Sequence, residues 1–329
     1  MTPPTIDIVA IGDAIVDVIA TCDDVLLDSL ALTKGSMRLV DTDEALRLYA
    51  AMGPARETSG GSAANTMAGV AALGLRAAFI GQIADDQLGA IFAHDMRALG
   101  VTFDTPVLPA GALPTGRCLI LVTPDAQRTM NTSPGASHAL TPDALDEALI
   151  RSAAVTYLEG YLWGPEQPRA AMLRAAQVAR EAGRQVAFTL SESLCLPGRR
   201  EGVAGLIDSG LVDLLFANDD EAKLLTGAAD LDDALAALSG KVPTLVVTCG
   251  ARGALAIEGG TRADVAAQQV ERVVDTTGAG DLFAAGFLAV RCRGHDLERC
   301  LQTGSAAAAE IISHFGARPE ADLCTLVRL

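Results

Sequence analysis

The chain has 329 residues, half of them apolar but only 4% aromatic, so it can bury a sizeable core built from Ala, Val, Leu and Ile. Its 41 acidic residues against 25 basic ones give a formal charge of −16, which argues against nucleic-acid and membrane-surface partners. A small polyanion stays compatible with that charge, because a few oriented backbone amides bind phosphate without a basic surface.

From the N-terminus, MTPPTIDIVAIGDAIVD has no basic region before its apolar stretch, and Asp7, Asp13 and Asp17 interrupt that stretch. No run of apolar residues is long enough for a membrane span, so the expectation is a soluble, cytoplasmic chain. Near-continuous apolar runs predict strands over 6–12, 77–81, 155–159, 186–190, 211–217, 244–248 and 254–257. Helical spacing between them predicts helices over 63–73, 87–99, 142–153, 167–182, 219–225 and 281–293. Thr141-Pro142 offers a helix start, and Gly74, Gly100 and Gly183 fall where helices should stop. This alternation predicts an α/β, doubly wound, mostly parallel sheet with helices on both faces. Residues 14–42 and 102–132 break the rhythm with short β-leaning pieces at 15–20, 36–40, 117–123 and 128–132. They either pair as a small accessory sheet or run as long surface connections. No linker marks a second independent domain, so 1–329 reads as one unit.

The densest signal is Asp275-Thr276-Thr277-Gly278-Ala279-Gly280-Asp281, followed by the apolar run 282–290. A strand over 270–274 should enter this turn and a helix leave it. The first amides of that helix point outward with the positive dipole end behind them, which favours negative charge on a transferring phosphoryl group. Asp281 beside them could take a proton from an attacking hydroxyl. For GAGD alone an ordinary helix start would be the simpler reading; the seven-residue string favours the chemical one.

A second turn, Ser59-Gly60-Gly61-Ser62-Ala63-Ala64-Asn65-Thr66, also opens a helix and suits a polyhydroxylated ligand, with Asn65 as donor and acceptor. Taken alone, a glycine turn with a loop-capping Asn is the slightly simpler reading. Asn218 and Glu221 follow a strand at the end where such sheets bind ligands, and could hold Mg²⁺ directly or through water; a solvated helix start is the plainer alternative. Thr248-Cys249-Gly250-Ala251-Arg252-Gly253 is either a nucleotide-facing loop or a hairpin turn.

Other chemistries lack their motifs. There is no GxxxxGK[ST], HRD, DFG or GxSxG, and GAGDLF lacks the third glycine of a dinucleotide turn. Seven cysteines (Cys22, Cys118, Cys195, Cys249, Cys292, Cys300 and Cys324) form no CxxC pair and do not cluster with the four histidines. This argues against a disulfide framework and structural zinc and for a reducing compartment. His94, His138, His295 and His314 read as structural or surface residues.

Together, GGSAAN at 60–65 and DTTGAGD at 275–281 resemble the two signatures of the ribokinase-like (PfkB) sugar and nucleoside kinases. GDAIVD at 12–17, the Asn218…Glu221 pair and the Thr248-x-Gly250-x-x-Gly253 loop agree with it, over about 6–319. The resemblance implies a Rossmann-like core with a β-rich lid formed by the 14–42 and 102–132 insertions, and ATP-dependent phosphoryl transfer to a primary hydroxyl. It implies Asp281 as base and the amides of Gly278, Ala279 and Gly280 as anion hole. Asp13, Asp17, Gly60, Gly61 and Asn65 would then meet the acceptor, and Asn218, Thr248, Gly250, Gly253 and Gly316 the nucleotide. Glu221 would order Mg²⁺ through water, and Asp275 and Thr277 fall where many members hold a monovalent cation, usually potassium. Some relatives dimerise through the lid, so a homodimer is compatible.

For the acceptor, Ile15 stands where ribokinases tend to have Asn, and Gly12-Asp13-Ala14-Ile15-Val16-Asp17 is nearer the adenosine-kinase form. The stretches 34–37, 128–132 and 159–163 also resemble bacterial adenosine kinases, although Asp13 replaces their more usual Asn. Phe103, Tyr161 and Trp163 are the candidates to stack on a purine. The expectation is a purine-nucleoside kinase, with adenosine as acceptor. The alternatives are a kinase of fructose, ribose or a keto-deoxy sugar acid, the last needing a basic pocket residue such as Arg117, and a non-catalytic binding regulator.

Overall fold

The computed structural model describes residues 3–109, 111–191 and 198–328. Cys195 lies outside them. In chain order the strands are β1 (Ile6–Ile11), β2 (Ile15–Thr21), β3 (Met37–Leu39), β4 (Arg56–Gly60), β5 (Ala77–Ile80), β6 (Val101–Thr102) and β7 (Gly116–Val122). They continue as β8 (Arg128–Ser133), β9 (Ala153–Glu159), β10 (Gln185–Thr189), β11 (Leu214–Asn218), β12 (Thr244–Thr248), β13 (Ala254–Glu258) and β14 (Thr261–Val265).

Nine strands form the main sheet, in the order β14-β13-β12-β11-β10-β9-β1-β5-β6. All neighbours from β12 to β6 pair parallel, and only β13 and β14 run antiparallel at one edge. Strand alternation splits β1 between two cores: Ile8 and Ala10 pack with the helices Ser62–Ala72, Ala279–Arg291 and Leu297–Ile311, while Val9 and Ile11 pack with Glu166–Glu181 on the opposite face. Burial on both sides is why these strands are apolar without a break.

The second sheet has five strands, ordered β3-β8-β7-β2-β4. The β-leaning pieces at 15–20, 36–40, 117–123 and 128–132 lie in it; β4 falls outside both predicted segments. Its sequence, RETSG, carries no apolar side chain, so periodicity could not mark it. Alternation again decides the faces. Val16, Val18, Leu119 and Leu121 join the main core, while Ile15, Cys118 and Ile120 form a separate cluster on the other side, with Met130 packed against it.

Two predicted elements differ. Residues 270–274 form no strand: the Val274 N–H donates to the Ile312 carbonyl (2.8 Å) at a helix end, so no strand ladder can form there. The predicted helix 142–153 divides into a 3₁₀ turn, Pro142–Ala144, and a helix, Glu147–Ser152. Thr141 makes no side-chain cap; Asp146 does, accepting from the Leu149 N–H at 2.9 Å, and β9 already begins at Ala153.

Small residues let the helices behind the site approach closely. A Cβ on Gly286 would lie 2.7 Å from the Thr303 carbonyl oxygen and 2.9 Å from the Gly304 Cα, and one on Gly69 would lie 2.7 Å from Leu282 Cδ1. Gly205, in the exposed face of the helix Arg200–Asp208, meets nothing within 4 Å. Gly205→Ala should therefore raise stability by up to about 1 kcal/mol. Gly286→Ala should lower it, because forced separation of the helices costs about 1–3 kcal/mol. Thermal denaturation of the two variants checks the opposite signs.

Candidate active site

Parallel strands deliver their carboxyl ends to one cavity of about 520 Å³. Asp13 follows β1, Ser191 follows β10, and Ala217, Asn218 and Thr248 close β11 and β12 on its wall. Opposite them, Ile15, Met37, Leu39, Cys118, Ile120 and Met130 of the second sheet form an apolar roof. Gly61, Ser62, Asn65 and the 276–281 turn join the two halves.

Two helix N-termini meet at Asp281. Its Oδ1 accepts from the Ser62 hydroxyl (2.6 Å) and its Oδ2 from the Asn65 amide Nδ2 (2.9 Å). The helix Ala279–Arg291 has no side-chain cap, because Gly278 occupies its N-cap in the left-handed region (φ 79°). Amides of its first turn thus lack the usual side-chain partner. Ala279 directs its N–H to the Thr276 carbonyl (3.2 Å), so among the three expected anion-hole amides this one has an internal bond. Gly61 has φ 91°, and a Cβ there would lie 2.2 Å from the Asp13 carbonyl oxygen, so only glycine brings the second turn this close to β1.

Burial pushes the Asp281 carboxyl up to about 6, against the lowering effects of Ser62, Asn65 and the Arg318 charge. Asp17, on the cavity face of β2, is also pushed by burial to about 6, opposed by Arg318 and Arg128. Gly60 lies directly behind it: a Cβ would come within 2.6 Å of the Asp17 carboxylate. Asp13 is pushed by burial to about 7. Its backbone N–H donates to Glu159 Oε1, and the Ala63 N–H donates to Glu159 Oε2 (2.6 Å). Glu159 is fully buried, and burial with the neighbouring Asp13 charge raises its carboxyl well above the usual range.

At the other end, Asn218 and Glu221 form a capping box. Asn218 Oδ1 accepts from the Glu221 N–H (2.7 Å) and Glu221 Oε2 from the Asn218 N–H (2.9 Å), which starts the helix Asp219–Thr226 while both residues line the cavity. Thr248 lines the cavity; Gly250 and Gly253 belong to the β12–β13 hairpin turn and do not, Gly253 being pressed against the Val265 carbonyl. Thr277 lines it, whereas Asp275 is buried behind the turn and accepts from the Thr277 N–H (3.0 Å) and the Gly316 N–H (3.0 Å).

The sequence and the fold have counterparts among known proteins. The model of the pfkB family carbohydrate kinases matches residues 5–323. The chain belongs to the PfkB family of carbohydrate kinases. It is a phosphotransferase with a hydroxyl acceptor, built on the ribokinase-like fold. An ATP-dependent ribose-1-phosphate kinase from Halopiger xanaduensis is 34% identical over 277 residues, 81% of this chain and 85% of that protein. A 5-dehydro-2-deoxygluconokinase from Shouchella clausii is 31% identical over 261 residues, 77% and 80% of the two chains. Among solved structures, adenosine kinase from Sinorhizobium meliloti matches with a TM-score of 0.91 and 47% identity over 98% of both chains. A probable sugar kinase from Rhizobium etli matches with a TM-score of 0.91 and 44% identity, over 99% of this chain and 98% of that one.

Several side chains of this kinase site escaped the sequence reading. Glu159 ends a strand as an isolated acid in an apolar run, which was the available signal. Arg318 clamps the Ala64 carbonyl (2.9 Å) and the Ser59 carbonyl (3.0 Å), and burial lowers it to about 10; no motif marks it. His138 and Arg199 line the cavity, so His138 is not a remote structural residue. Of the aromatic candidates only Tyr161 reaches the wall: Phe103 packs among Phe79 and Phe92, and Trp163 lies edge-on to Phe188. Arg117 does not line the cavity and faces the charges of Asp86 and Glu57 instead.

A base must be a carboxylate to accept a proton. With Asp281 of the free protein near 6, kcat/KM should fall about tenfold per unit as pH drops below that value, and Asp281→Asn should lose at least about a hundredfold in kcat at neutral pH with acceptor binding largely kept. A pH–rate profile and binding titration measure both. Glu159→Gln supplies one acceptor oxygen where two amides need one each. It should raise the acceptor KM by about tenfold and leave the ATP KM nearly unchanged, read from steady-state kinetics.

Proposed function

We propose that this kinase transfers the γ-phosphoryl group of ATP to the primary hydroxyl of a purine nucleoside, with adenosine as the acceptor. The observation that carries the chemistry is the Asp281 carboxylate, aligned by Ser62 and Asn65 at an uncapped helix N-terminus in the shared cavity. Asp281 accepts the proton of the acceptor hydroxyl as its oxygen bonds to the γ-phosphorus and ADP departs. Asp13, Asp17 and Asn65 lie where they can bind ribose hydroxyls. The amides of Gly278 and Gly280 face the charge that spreads over the transferring group.

Glu221, with Asn218 beside it, suits a Mg²⁺ ion held through water, since this ion keeps much of its hydration shell and the capping box holds the carboxylate at the cavity wall. When bound, Mg²⁺ neutralises phosphate charge. Thr248 flanks the nucleotide side.

The roof favours a nucleoside. Ile15, Cys118, Ile120 and Met130 present an apolar face that suits a purine ring, beside the Asp17 that would meet the ribose. The second sheet accordingly acts as a lid over the acceptor, and the likeness to adenosine kinase at 47% identity supports the choice. A second reading, a sugar-acid kinase, draws on Arg199 at the same wall, although its Nη1 already donates to the Gly160 (2.8 Å) and Tyr161 (2.5 Å) carbonyls.

ADP release with ATP and Mg²⁺ should be measured on adenosine, inosine, guanosine, ribose, fructose and a keto-deoxy sugar acid, with Asp281→Asn as control. Turnover of a purine nucleoside, with adenosine fastest, is the expected result. Turnover of a free sugar or the sugar acid alone would overturn the acceptor assignment and leave the mechanism standing.

A further inference from the structure

Arg128 crosses from β8 of the second sheet to the turn that precedes Asp281. Its Nη1 donates to Asp275 Oδ2 and to the Thr277 hydroxyl (3.2 Å). Both partners of the ion pair are withdrawn from water, their side chains 12% and 5% exposed. The remaining bonds of the Asp275 carboxylate go to backbone amides: Oδ1 accepts from Thr277 and Oδ2 from Gly316, each at 3.0 Å. A carboxylate has about four lone-pair positions, and three are engaged here by the protein itself.

Asp275 and Thr277 are the residues to which the family resemblance assigns a monovalent cation. In this chain the same carboxylate and hydroxyl already face a full positive charge, fixed by two hydrogen bonds. A potassium ion against those oxygens would meet the guanidinium at contact distance, in a pocket too dry to screen the repulsion. The donor set therefore does not fit a monovalent ion.

We propose that Arg128 is the resident cation of this turn. It is a positioning residue that neutralises Asp275, holds Thr277 and thereby sets the backbone that leads into Gly278 and Asp281. It makes phosphoryl transfer independent of potassium. The proposal rests on reading this turn as the place of phosphoryl transfer.

The test compares wild type, Arg128→Ala and Arg128→Lys in potassium chloride and in tetramethylammonium chloride of equal ionic strength, by turnover and by melting temperature. Wild-type rates in the two salts should agree within about twofold, with no difference in melting temperature. In tetramethylammonium, Arg128→Ala should lose at least about tenfold in kcat, recover part of it in potassium, and melt higher in potassium. Arg128→Lys should keep the indifference to potassium, because it keeps a positive charge at the turn.

Severalfold activation of the wild type by potassium, or a rise in its melting temperature, would overturn the proposal by revealing a cation site beside the arginine. An Arg128→Ala enzyme that is fully active in tetramethylammonium would overturn it too, as would one whose losses ignore potassium. If wild type turns over no acceptor, the functional reading fails, and the melting temperatures still decide the cation question. If Arg128→Ala does not fold, the wild type and Arg128→Lys decide it.

Discussion

Everything at this site depends on one carboxylate held between two helix ends. The oxygens of Asp281 are divided between Ser62 and Asn65, so each hydrogen bond also ties the helix Ala279–Arg291 to Ser62–Ala72. Bonds to a charged acceptor are worth about 1.5–3 kcal/mol each, enough to orient the group. The helices reach each other only because Gly69 offers no side chain to Leu282 and Ala285. Packing several residues from Asp281 therefore sets the position of its carboxylate.

Burial acts on four carboxyls there in the same direction. Asp13, Asp17, Asp281 and Glu159 are each raised by desolvation, and the fold answers with specific donors instead of bulk water: two backbone amides for Glu159, Ser62 and Asn65 for Asp281. Arg318 and Arg128 add positive charge behind Asp17. The net charge of −16 therefore does not by itself set the field inside the cavity, where backbone amides and the Arg318 and Arg128 charges act locally.

Seven of the nine main-sheet strands were legible because they are near-continuous apolar runs, and the helices between them carry start and stop residues; β6, two residues long, and β14, largely exposed TRADV, were not. Strand β4 was not, since its polar sequence is held by pairing with β2, Ile15 opposite Gly60, and by nothing intrinsic. The segment 270–274 shows the converse: residues with strand propensity make no strand when no neighbour offers a ladder. Phe103 and Trp163 were candidates to stack on a purine, and neighbouring rings place them in the core.

Sequence alone determined the α/β class, the two glycine turns and the identity of the central acid, because each is written in contiguous residues whose spacing has a local physical meaning. Tertiary structure decided which distant groups meet them. Glu159 lies 96 positions from Ala63, Arg128 lies 147 from Asp275, and Arg318 lies 254 from Ala64. No local pattern encodes such separations; they arise when parallel strands bring their carboxyl ends to one side and a second sheet closes over them.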